Sequence, residues 1–278
     1  MNKKISTPSR TKELLETYGL KAKKNFGQNF LVDPIIVERS AALVKNSAVI
    51  EIGPGLGSLT EELSNVAKKV VAYEIDEDMV NVLKDLFKNK DNIEIINEDI
   101  LESEIETKVN ELYEEYGTVN VCANLPYYIT SPVLFKLFSI DKIEKIIVMV
   151  QKEVGERFVA KPNDKEYSAL SVEGQLLYDI EKLYTVPARS FNPSPKVDSV
   201  VIGFTRKNKE IKDLDKLYDF IRTCFKQRRK TIYNNLKEIY EVEELHSYLK
   251  KANILEEKRA QELSVEEIEN LYNIVNER

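Results

Sequence analysis

Short apolar runs alternate with amphipathic stretches between residues 48 and 150. The strand candidates are AVIEIG (48–53), KVVAYEID (69–76), NIEIIN (92–97), TVNVCAN (118–124) and KIIVMV (145–150). The helix candidates are SLTEELSNVA, EDMVNVLKDLFKN, ETKVNELYEEYG and SPVLFKLFS, the last with Ser131 as N-cap and Pro132 at its first helical position. Apolar strands that alternate with helices predict an α/β fold whose mostly parallel sheet is covered on both faces.

The chain changes character near residue 206. LLYDIEKLYTVPA and VDSVVIGFTR are expected to add further strands to the sheet, antiparallel at its edge, whereas RKNKEIKDLD (206–215) is predicted to be a linker. Helical periodicity follows and includes the capping box SVEE at 264–267. We therefore expect an α/β domain over residues 1–205 and a small all-α domain over residues 206–278.

Unusual residues collect where the predicted strands end, and ligands of open parallel sheets bind at that edge. Gly53, Gly55 and Gly57 lie between a strand and a helix, where a backbone can turn tightly and approach a ligand. Glu74 ends the second strand and can accept hydrogen bonds from ribose hydroxyls, while Asp99 after the third strand suits a base amino group. Taken singly, each feature also fits a structural turn or a solvated acid.

The fourth strand ends in NLPY, and this motif has a chemical interpretation. The Asn124 side-chain oxygen and the Leu125 carbonyl can each accept one N6–H bond from adenine, which turns the nitrogen lone pair out of the ring plane. Pro126 fixes the backbone, and Tyr127 offers a face on which a flipped-out base can stack. The alternative is a proline turn capped by an asparagine.

The chain resembles the RsmA/KsgA family of small-subunit rRNA adenine dimethyltransferases. The resemblance rests on blocks that occur in order along nearly the whole sequence: NFGQNFLVDP (25–34), EIGPGLGSLT (51–60), YEID (73–76), NED (97–99), NLPYYITSP (124–132), QKEVGERF (151–158), FNPSPKVDS (191–199) and FKQRRKTIYNNL (225–236). It implies a Rossmann-like domain for S-adenosylmethionine, converted to S-adenosylhomocysteine, and a small helical domain. It also implies dimethylation of two adjacent adenosines in the 3′-terminal hairpin of 16S rRNA within the 30S subunit.

The resemblance also implies roles for individual residues. Asn29 and Leu31 would close over the cofactor, Gly53 and Gly55 would flank its methionine end, Glu74 would hold its ribose, and Asp99 and Ile100 would contact its adenine. Asn124 would contact both the cofactor and the target amine. Phe191 would stack on the target base opposite Tyr127, although a phenylalanine anchored in the core is an equal alternative.

Charge is segregated along the chain. The net charge of −6 argues against a nucleic-acid partner, but residues 1–30 hold seven Lys and Arg against two acids, and residues 206–237 hold eleven against four. Arg228, Arg229 and Lys230 are therefore expected to contact RNA phosphates, with KAKKNFGQNF (21–30) as a second candidate. A solvated helix face is the alternative.

Other features narrow the function. Cys122 and Cys224 fit no disulfide or zinc pattern, and His246 is the only histidine, so neither a metal site nor histidine catalysis is expected. With no apolar membrane span and no signal sequence, a cytoplasmic location is expected. A monomer is also expected. An Erm-type 23S rRNA methyltransferase and a non-catalytic ribosome-assembly factor are the alternatives. FNPSPKVDS and the helical tail disfavour the first, and Glu74, Asn124 and Tyr127 disfavour the second.

Overall fold

The computed structural model describes residues 3–23 and 26–276. Two compact units are present, the first comprising Met1–Gly155 and Glu181–Arg206, and the second comprising Glu156–Ile180 and Lys207–Arg278. The division at residue 206 follows the predicted linker, but residues 156–180 belong to the helical unit rather than to the α/β unit. Of the predicted domains and basic segments, residues 1, 2, 24, 25, 277 and 278 lie outside the described residues.

The strands of the described chain include all the predicted ones. Their bounds are β1 (Phe30–Leu31), β2 (Ala48–Ile52), β3 (Lys69–Tyr73), β4 (Ile93–Ile96), β5 (Val119–Asn124), β6 (Ile143–Gln151), β7 (Tyr178–Val186), β8 (Phe191–Asn192) and β9 (Ser199–Arg206). The main sheet has the order β4-β3-β2-β5-β6-β9-β7. Strands β2 to β6 run parallel to one another, and β9 runs antiparallel to β6. The predicted fold class is confirmed.

Helices cover the sheet and form the second unit. Their bounds are α1 (Pro8–Thr17), α2 (Pro34–Ala42), α3 (Ser58–Val66), α4 (Glu77–Leu86), α5 (Ile105–Tyr116), α6 (Thr130–Phe138), α7 (Lys152–Val159), α8 (Ala169–Leu177), α9 (Leu214–Cys224), α10 (Ile232–Leu236), α11 (Val242–Lys251) and α12 (Val265–Asn276). The predicted capping box closes as expected, because Ser264 and Glu267 exchange backbone–side-chain hydrogen bonds of 2.7 and 3.1 Å. No helix of the described chain is long and apolar enough to cross a membrane.

The start of α6 differs from the prediction. Ser131 is not its N-cap and Pro132 is not its first residue, because Thr130 already lies in the helix and Ile129 precedes it as the cap. The reason is a 3-10 turn over Tyr127–Ile129, which leads directly into α6 and donates the Ile129 N–H to the Pro126 carbonyl at 3.2 Å. Pro132 therefore occupies the first turn, where its missing N–H costs nothing.

The strand order reverses at β2, which places the ligand edge. β2 lies between β3 and β5, with Ala48 opposite both Lys69 and Val119 in parallel register. All five residues of β2 are buried, as a central strand covered on both faces requires. The carboxyl ends of β2, β3 and β5 therefore meet at a topological switch point, where open α/β sheets bind their ligands.

Candidate active site

A cavity opens at this switch point and gathers the residues predicted from the strand ends. It is lined by the lid candidates Asn29 and Leu31, the loop and acid candidates Gly53, Gly55, Glu74, Asp99 and Ile100, and the base-site candidates Asn124, Leu125, Pro126, Tyr127 and Phe191. These residues come from six separate stretches of the sequence. Their assembly around one cavity supports the predicted site, while their individual roles remain predictions.

The glycine loop divides into cavity positions and a packing position. Gly55 has a positive φ of 57° and donates its N–H to Glu74 Oε2 at 3.0 Å, and an added Cβ would come within 3.3 Å of the Phe30 ring. Gly57, with a φ of 86°, faces a different constraint, because a Cβ there would lie 2.7 Å from the Phe87 ring. Gly53 and Gly55 thus shape the cavity, and Gly57 allows α3 to begin close to Phe87.

Glu74 lies directly after β3 and is only 5% exposed. Its Oε1 accepts the Asp76 N–H at 3.0 Å, and its Oε2 accepts the Gly55 N–H. Burial raises the pKa of Glu74, and these backbone hydrogen bonds oppose that rise because they favour the charged form. A carboxylate accepts more than two hydrogen bonds, so acceptor capacity remains for a ligand in the cavity.

The loop that follows β4 is fixed from two sides. Asp99 Oδ1 accepts the Leu101 N–H at 2.9 Å, and Ile100 is buried. Lys136 on α6 donates its Nζ to the carbonyls of Leu101 and Ser103, both at 2.7 Å. The loop therefore presents Asp99 and Ile100 to the cavity on a firmly held backbone.

The NLPY segment combines a free amide with a fixed ring. Asn124 pairs with Met149 across β5 and β6, and among the described residues nothing hydrogen-bonds its side-chain amide. The Tyr127 hydroxyl, by contrast, lies 2.7 Å from the Ser199 hydroxyl, which is fully buried at the start of β9. The structure thus holds the ring in place and leaves the amide available.

Phe191 shows features of both interpretations that the sequence left open. It pairs with Leu31 through the short antiparallel sheet of β1 and β8, and it is 4% exposed within a cluster that includes Val37 and Leu59. It also lines the cavity. Phe191 is therefore a core anchor that has one edge at the site, and its stacking on a target base stays a prediction.

Glu51 is a cavity residue that sequence reasoning missed. It is 2% exposed, and its Oε2 has no hydrogen-bond partner in the described part of the chain. Burial is the main cause that raises the pKa of Glu51 to about 8, with Thr60 opposing the shift and the charge of Glu74 adding to it. The available signal was an acid in the otherwise apolar strand AVIEI. Ser199 gave no comparable signal, since serine is unremarkable in a strand.

The basic residues of the second unit lie in a turn, not on a helix. Arg228, Arg229 and Lys230 fall between α9 and α10. Arg228 donates to the Lys165 carbonyl at 2.8 Å, and Lys230 lies 3.8 Å from Glu238, which also pairs with Lys226 at 2.7 Å. Within the described residues Arg229 has no ion pair or hydrogen bond, so it is the member of the group that is free to meet phosphate.

The cysteines and the histidine lie away from the cavity lining. Cys122 and Cys224 are free and buried, and burial raises the pKa of both thiols. His246 is exposed, contacts Glu256, and stacks on Tyr233 with 5.1 Å between ring centroids.

The site combines a mostly parallel sheet with a glycine loop, an acid placed to bind ribose hydroxyls and an Asn-Leu-Pro-Tyr segment, all at one switch point. This combination defines the class of S-adenosylmethionine-dependent methyltransferases. Residues 19–277 match the family described as ribosomal RNA adenine dimethylase. Relatives from Bacillus cereus strain B4264 and Bacillus anthracis, each named Ribosomal RNA small subunit methyltransferase A, are 42% identical over 284 residues, covering 98% of this chain and 97% of theirs. The chain belongs to the ribosomal RNA adenine dimethylase family.

Solved structures agree with this assignment. A dimethyladenosine transferase from Plasmodium falciparum has a TM-score of 0.74 at 29% identity, covering 88% of this chain and 96% of the other. The 23S rRNA methyltransferase ErmE has a TM-score of 0.67 at 25% identity, covering 90% and 100%. The fold is thus similar to that of a dimethyladenosine transferase and to that of a 23S rRNA methyltransferase, so the fold alone does not determine the substrate.

Proposed function

We propose that this enzyme dimethylates the N6 amines of two adjacent adenosines in the 3′-terminal hairpin of 16S rRNA, within the 30S subunit and in the cytoplasm. The observation that carries the proposal is the Asn124 amide, which has no hydrogen-bond partner among the described residues and lies at the end of β5 beside a Tyr127 ring that Ser199 holds fixed. The full-length similarity to small-subunit methyltransferases supports the choice of the small subunit. We propose that the enzyme works as a monomer.

The cavity fits S-adenosylmethionine by the chemistry of its donors and acceptors. Glu74 keeps acceptor capacity for ribose hydroxyls, Asp99 can accept from an adenine amine, and Ile100 offers an apolar contact. Glu51 Oε2 has no hydrogen-bond donor within the described part of the chain, and an ammonium group of the methionine moiety would supply one. Asn29, Leu31, Gly53 and Gly55 line the same space. When bound, the cofactor would provide an electrophilic methyl group.

The chain's own residues prepare the target amine. The Asn124 Oδ1 and the Leu125 carbonyl would accept its two N–H bonds, so that the nitrogen lone pair projects out of the ring plane toward the methyl donor. Pro126, with a φ of −57°, holds that backbone, and Tyr127 supports the base by stacking. These acceptors stabilise the positive charge that develops on nitrogen, and such electrostatic stabilisation is a principal source of catalysis. Once methylated, the cationic amine loses its proton to water without a dedicated base.

The test is single-turnover methyl transfer to purified 30S particles at saturating cofactor. Asn124→Ala is expected to fold normally and to lose about 10²–10³-fold in rate, because an interaction that is strongest in the transition state acts on turnover. Asn124→Asp retains acceptor oxygens and should keep more activity than the alanine variant. A rate for Asn124→Ala within a few-fold of wild type would mean that the NLPY segment is only a structural turn.

The Erm-type alternative is tested by substrate rather than by residue. Because ErmE shares the fold over 90% of this chain, 23S rRNA must be offered in parallel with 30S particles. We expect methylation of 16S rRNA only, at adenosines of the 3′-terminal hairpin. Methylation of 23S rRNA alone would overturn the proposed substrate while leaving the methyl-transfer chemistry intact.

A further inference from the structure

A polar network links the N-terminal segment to the strand end that carries Glu74. Lys23 Nζ donates to Asp76 Oδ1 and to Asp78 Oδ2, both at 2.7 Å, and Gln28 Nε2 donates to Asp76 Oδ2 at 2.8 Å. The Lys23 N–H in turn donates to Gln28 Oε1 at 2.8 Å. Lys23, Gln28 and Asp76 therefore form a closed ring of hydrogen bonds between two stretches about fifty residues apart.

Asp76 is the centre of this ring. Its side chain is 2% exposed, and both of its oxygens are occupied. It also caps α4 by accepting the Asp78 N–H at 3.1 Å, while its own N–H donates to Glu74 Oε1. Removing one partner from a buried carboxylate is costly, because the charge that remains is uncompensated. Asp76 thus joins the N-terminal segment to the carboxylate expected to hold the cofactor ribose.

The segment held in this way forms part of the cavity wall. Residues 26–29, the cover segment, all line the cavity, yet Gln28 also reaches Asp76. At the other side of the segment, a Cβ added at Gly27 would come within 3.4 Å of the Tyr128 ring, and Asn29 Nδ2 donates back to the Gly27 carbonyl at 2.9 Å. The cover segment is therefore tied to Asp76 by the Gln28 hydrogen bond, and its backbone at Gly27 leaves little room beside Tyr128.

We propose that Asp76, Lys23 and Gln28 are positioning residues that fasten the cover segment over the cofactor cavity and so control how tightly the cofactor is retained. Asp76 acts through Gln28 and through the Asp76–Glu74 hydrogen bond. The proposal rests on the proposed function to the extent that the cavity holds S-adenosylmethionine. It assigns a function to Lys23 different from RNA contact, since its ammonium is already shared by two carboxylates.

The first test uses the cofactor-free enzyme. Gln28→Ala and Lys23→Met each break the ring but leave the Asp76 cap of α4 in place. Amide hydrogen exchange at Phe26 and Gln28, whose N–H groups donate to the Lys23 carbonyl, should accelerate about tenfold or more, while exchange in β2 stays unchanged. Lys23→Arg keeps an ion pair and should restore most of the protection. Lys88→Met, which removes an exposed pair with Asp85, is the matched control and should change neither region.

The second test measures retention of the ligand. Calorimetry with S-adenosylhomocysteine should show binding weakened about 5- to 30-fold in Gln28→Ala and Lys23→Met. Turnover at saturating S-adenosylmethionine should stay within twofold of wild type in Lys23→Met, because the Lys23 side chain is not among the residues that line the cavity. The Lys23→Met, Gln28→Ala double variant should lose little more binding affinity than either single variant, because both partners act through Asp76. Unchanged exchange, or fully additive losses, would overturn the proposal. If the wild type bound no S-adenosylhomocysteine, the proposed function would fail, and the exchange experiment would still decide whether the network holds the cover segment.

Discussion

At the scale of single residues, Glu51 is a buried acid whose ionised form is unfavourable in this cavity. A carboxyl group that is 2% exposed, beside Glu74 and without a cation in the described chain, is unfavourable in its charged form. Its pKa is raised to about 8, so the group carries a proton over much of the neutral range. An ammonium ligand would reverse this preference, because an opposite charge favours the ionised carboxylate.

This shift predicts how stability changes with pH. The folded protein keeps the Glu51 proton up to about pH 8, whereas the unfolded chain loses it near 4.5, so folding becomes less favourable as pH rises between these values. Glu51→Gln should therefore unfold at a higher urea concentration than wild type at pH 8.5 and show a smaller difference at pH 5. At about 1.4 kcal/mol per pKa unit, the gain at pH 8.5 is bounded by a few kcal/mol.

Urea titrations of the cofactor-free enzyme at the two pH values measure this effect. Glu106→Gln, a change of the same charge at an exposed position on α5, is the control and should leave the pH dependence of wild type unchanged. Parallel pH profiles for wild type and Glu51→Gln would contradict the prediction.

Residues of the site were predictable where their type was out of place. An amide, a proline and aromatic rings at the end of the buried strand VNVCA stand out, as do glycines between a strand and a helix. Ser199 and Lys136 could not be found in this way, because their roles depend on contacts with residues 72 and about 35 positions away. A serine and a lysine are ordinary in a strand and a helix, and only the fold places them beside the site.

At the scale of elements, the parallel core was predictable because β2 to β6 are apolar runs bounded by turn and helix signals. β1 and β8 were not, since a two-residue pairing such as Leu31 with Phe191 leaves no periodic pattern. The α6 boundary shifted for a related reason. The position of Pro132 shows only that this residue lies in the first turn of a helix. The helix itself begins at Thr130, directly after the 3-10 turn over Tyr127–Ile129.

Lys136 gives a prediction at this scale, because α6 supports the loop that presents Asp99. Lys136→Met preserves the aliphatic stem but leaves the carbonyls of Leu101 and Ser103 without their charged donor. Hydrogen bonds to charged groups contribute about 1.5–3 kcal/mol, so stability should fall by about 1–3 kcal/mol. Binding of S-adenosylhomocysteine should weaken several-fold because Asp99 is less firmly held.

Thermal unfolding and calorimetry check the two effects. Lys142→Met serves as the control, because its pair with Glu114 is solvent-exposed at 3.2 Å and such pairs contribute about 0–1 kcal/mol. Equal behaviour of the two variants would mean that the Lys136 contacts do not stabilise the loop.

At the scale of the whole molecule, the predicted domain division and the two compact units differ at residues 156–180. Residues 156–180 follow strand β6 and include the first residues of β7, and the sequence therefore suggested that they belong to the α/β unit, yet they fall in the same compact unit as the helices that follow residue 206. Within the helical unit, the Tyr167 hydroxyl donates to the Leu263 carbonyl at 3.0 Å, and Arg222 Nε lies 2.8 Å from the buried Glu173. Such pairings between distant segments carry no local signal in the sequence.

The arrangement of charge in the helical unit ranks the predicted phosphate contacts and puts Arg229 first. Among Lys226, Arg228, Arg229 and Lys230, Arg229 is the one without an ion pair or hydrogen bond to the described residues, whereas Arg228 donates to the Lys165 carbonyl, and Lys226 and Lys230 share Glu238. All four side chains reach solvent. A cation that must first break an ion pair with an acid gains less binding free energy from a phosphate contact. Phosphate contact releases counterions, so each contact contributes nearly one unit to the slope of log affinity against log salt.

Arg229→Ala should therefore weaken binding to 30S particles and flatten the salt slope by about one unit without changing the unfolding temperature. Glu238→Gln should do the opposite, because it frees Lys226 and Lys230 and raises affinity at low salt. Arg228→Ala should lower the unfolding temperature as well as affinity, since it also removes the contact with Lys165.

Filter binding between 50 and 200 mM salt measures the slopes, with Lys250→Ala on α11 as the charge-matched control. If Arg229→Ala and Lys250→Ala gave the same slope as wild type, the turn between α9 and α10 would not contact phosphate, and the RNA surface would have to lie elsewhere on the enzyme.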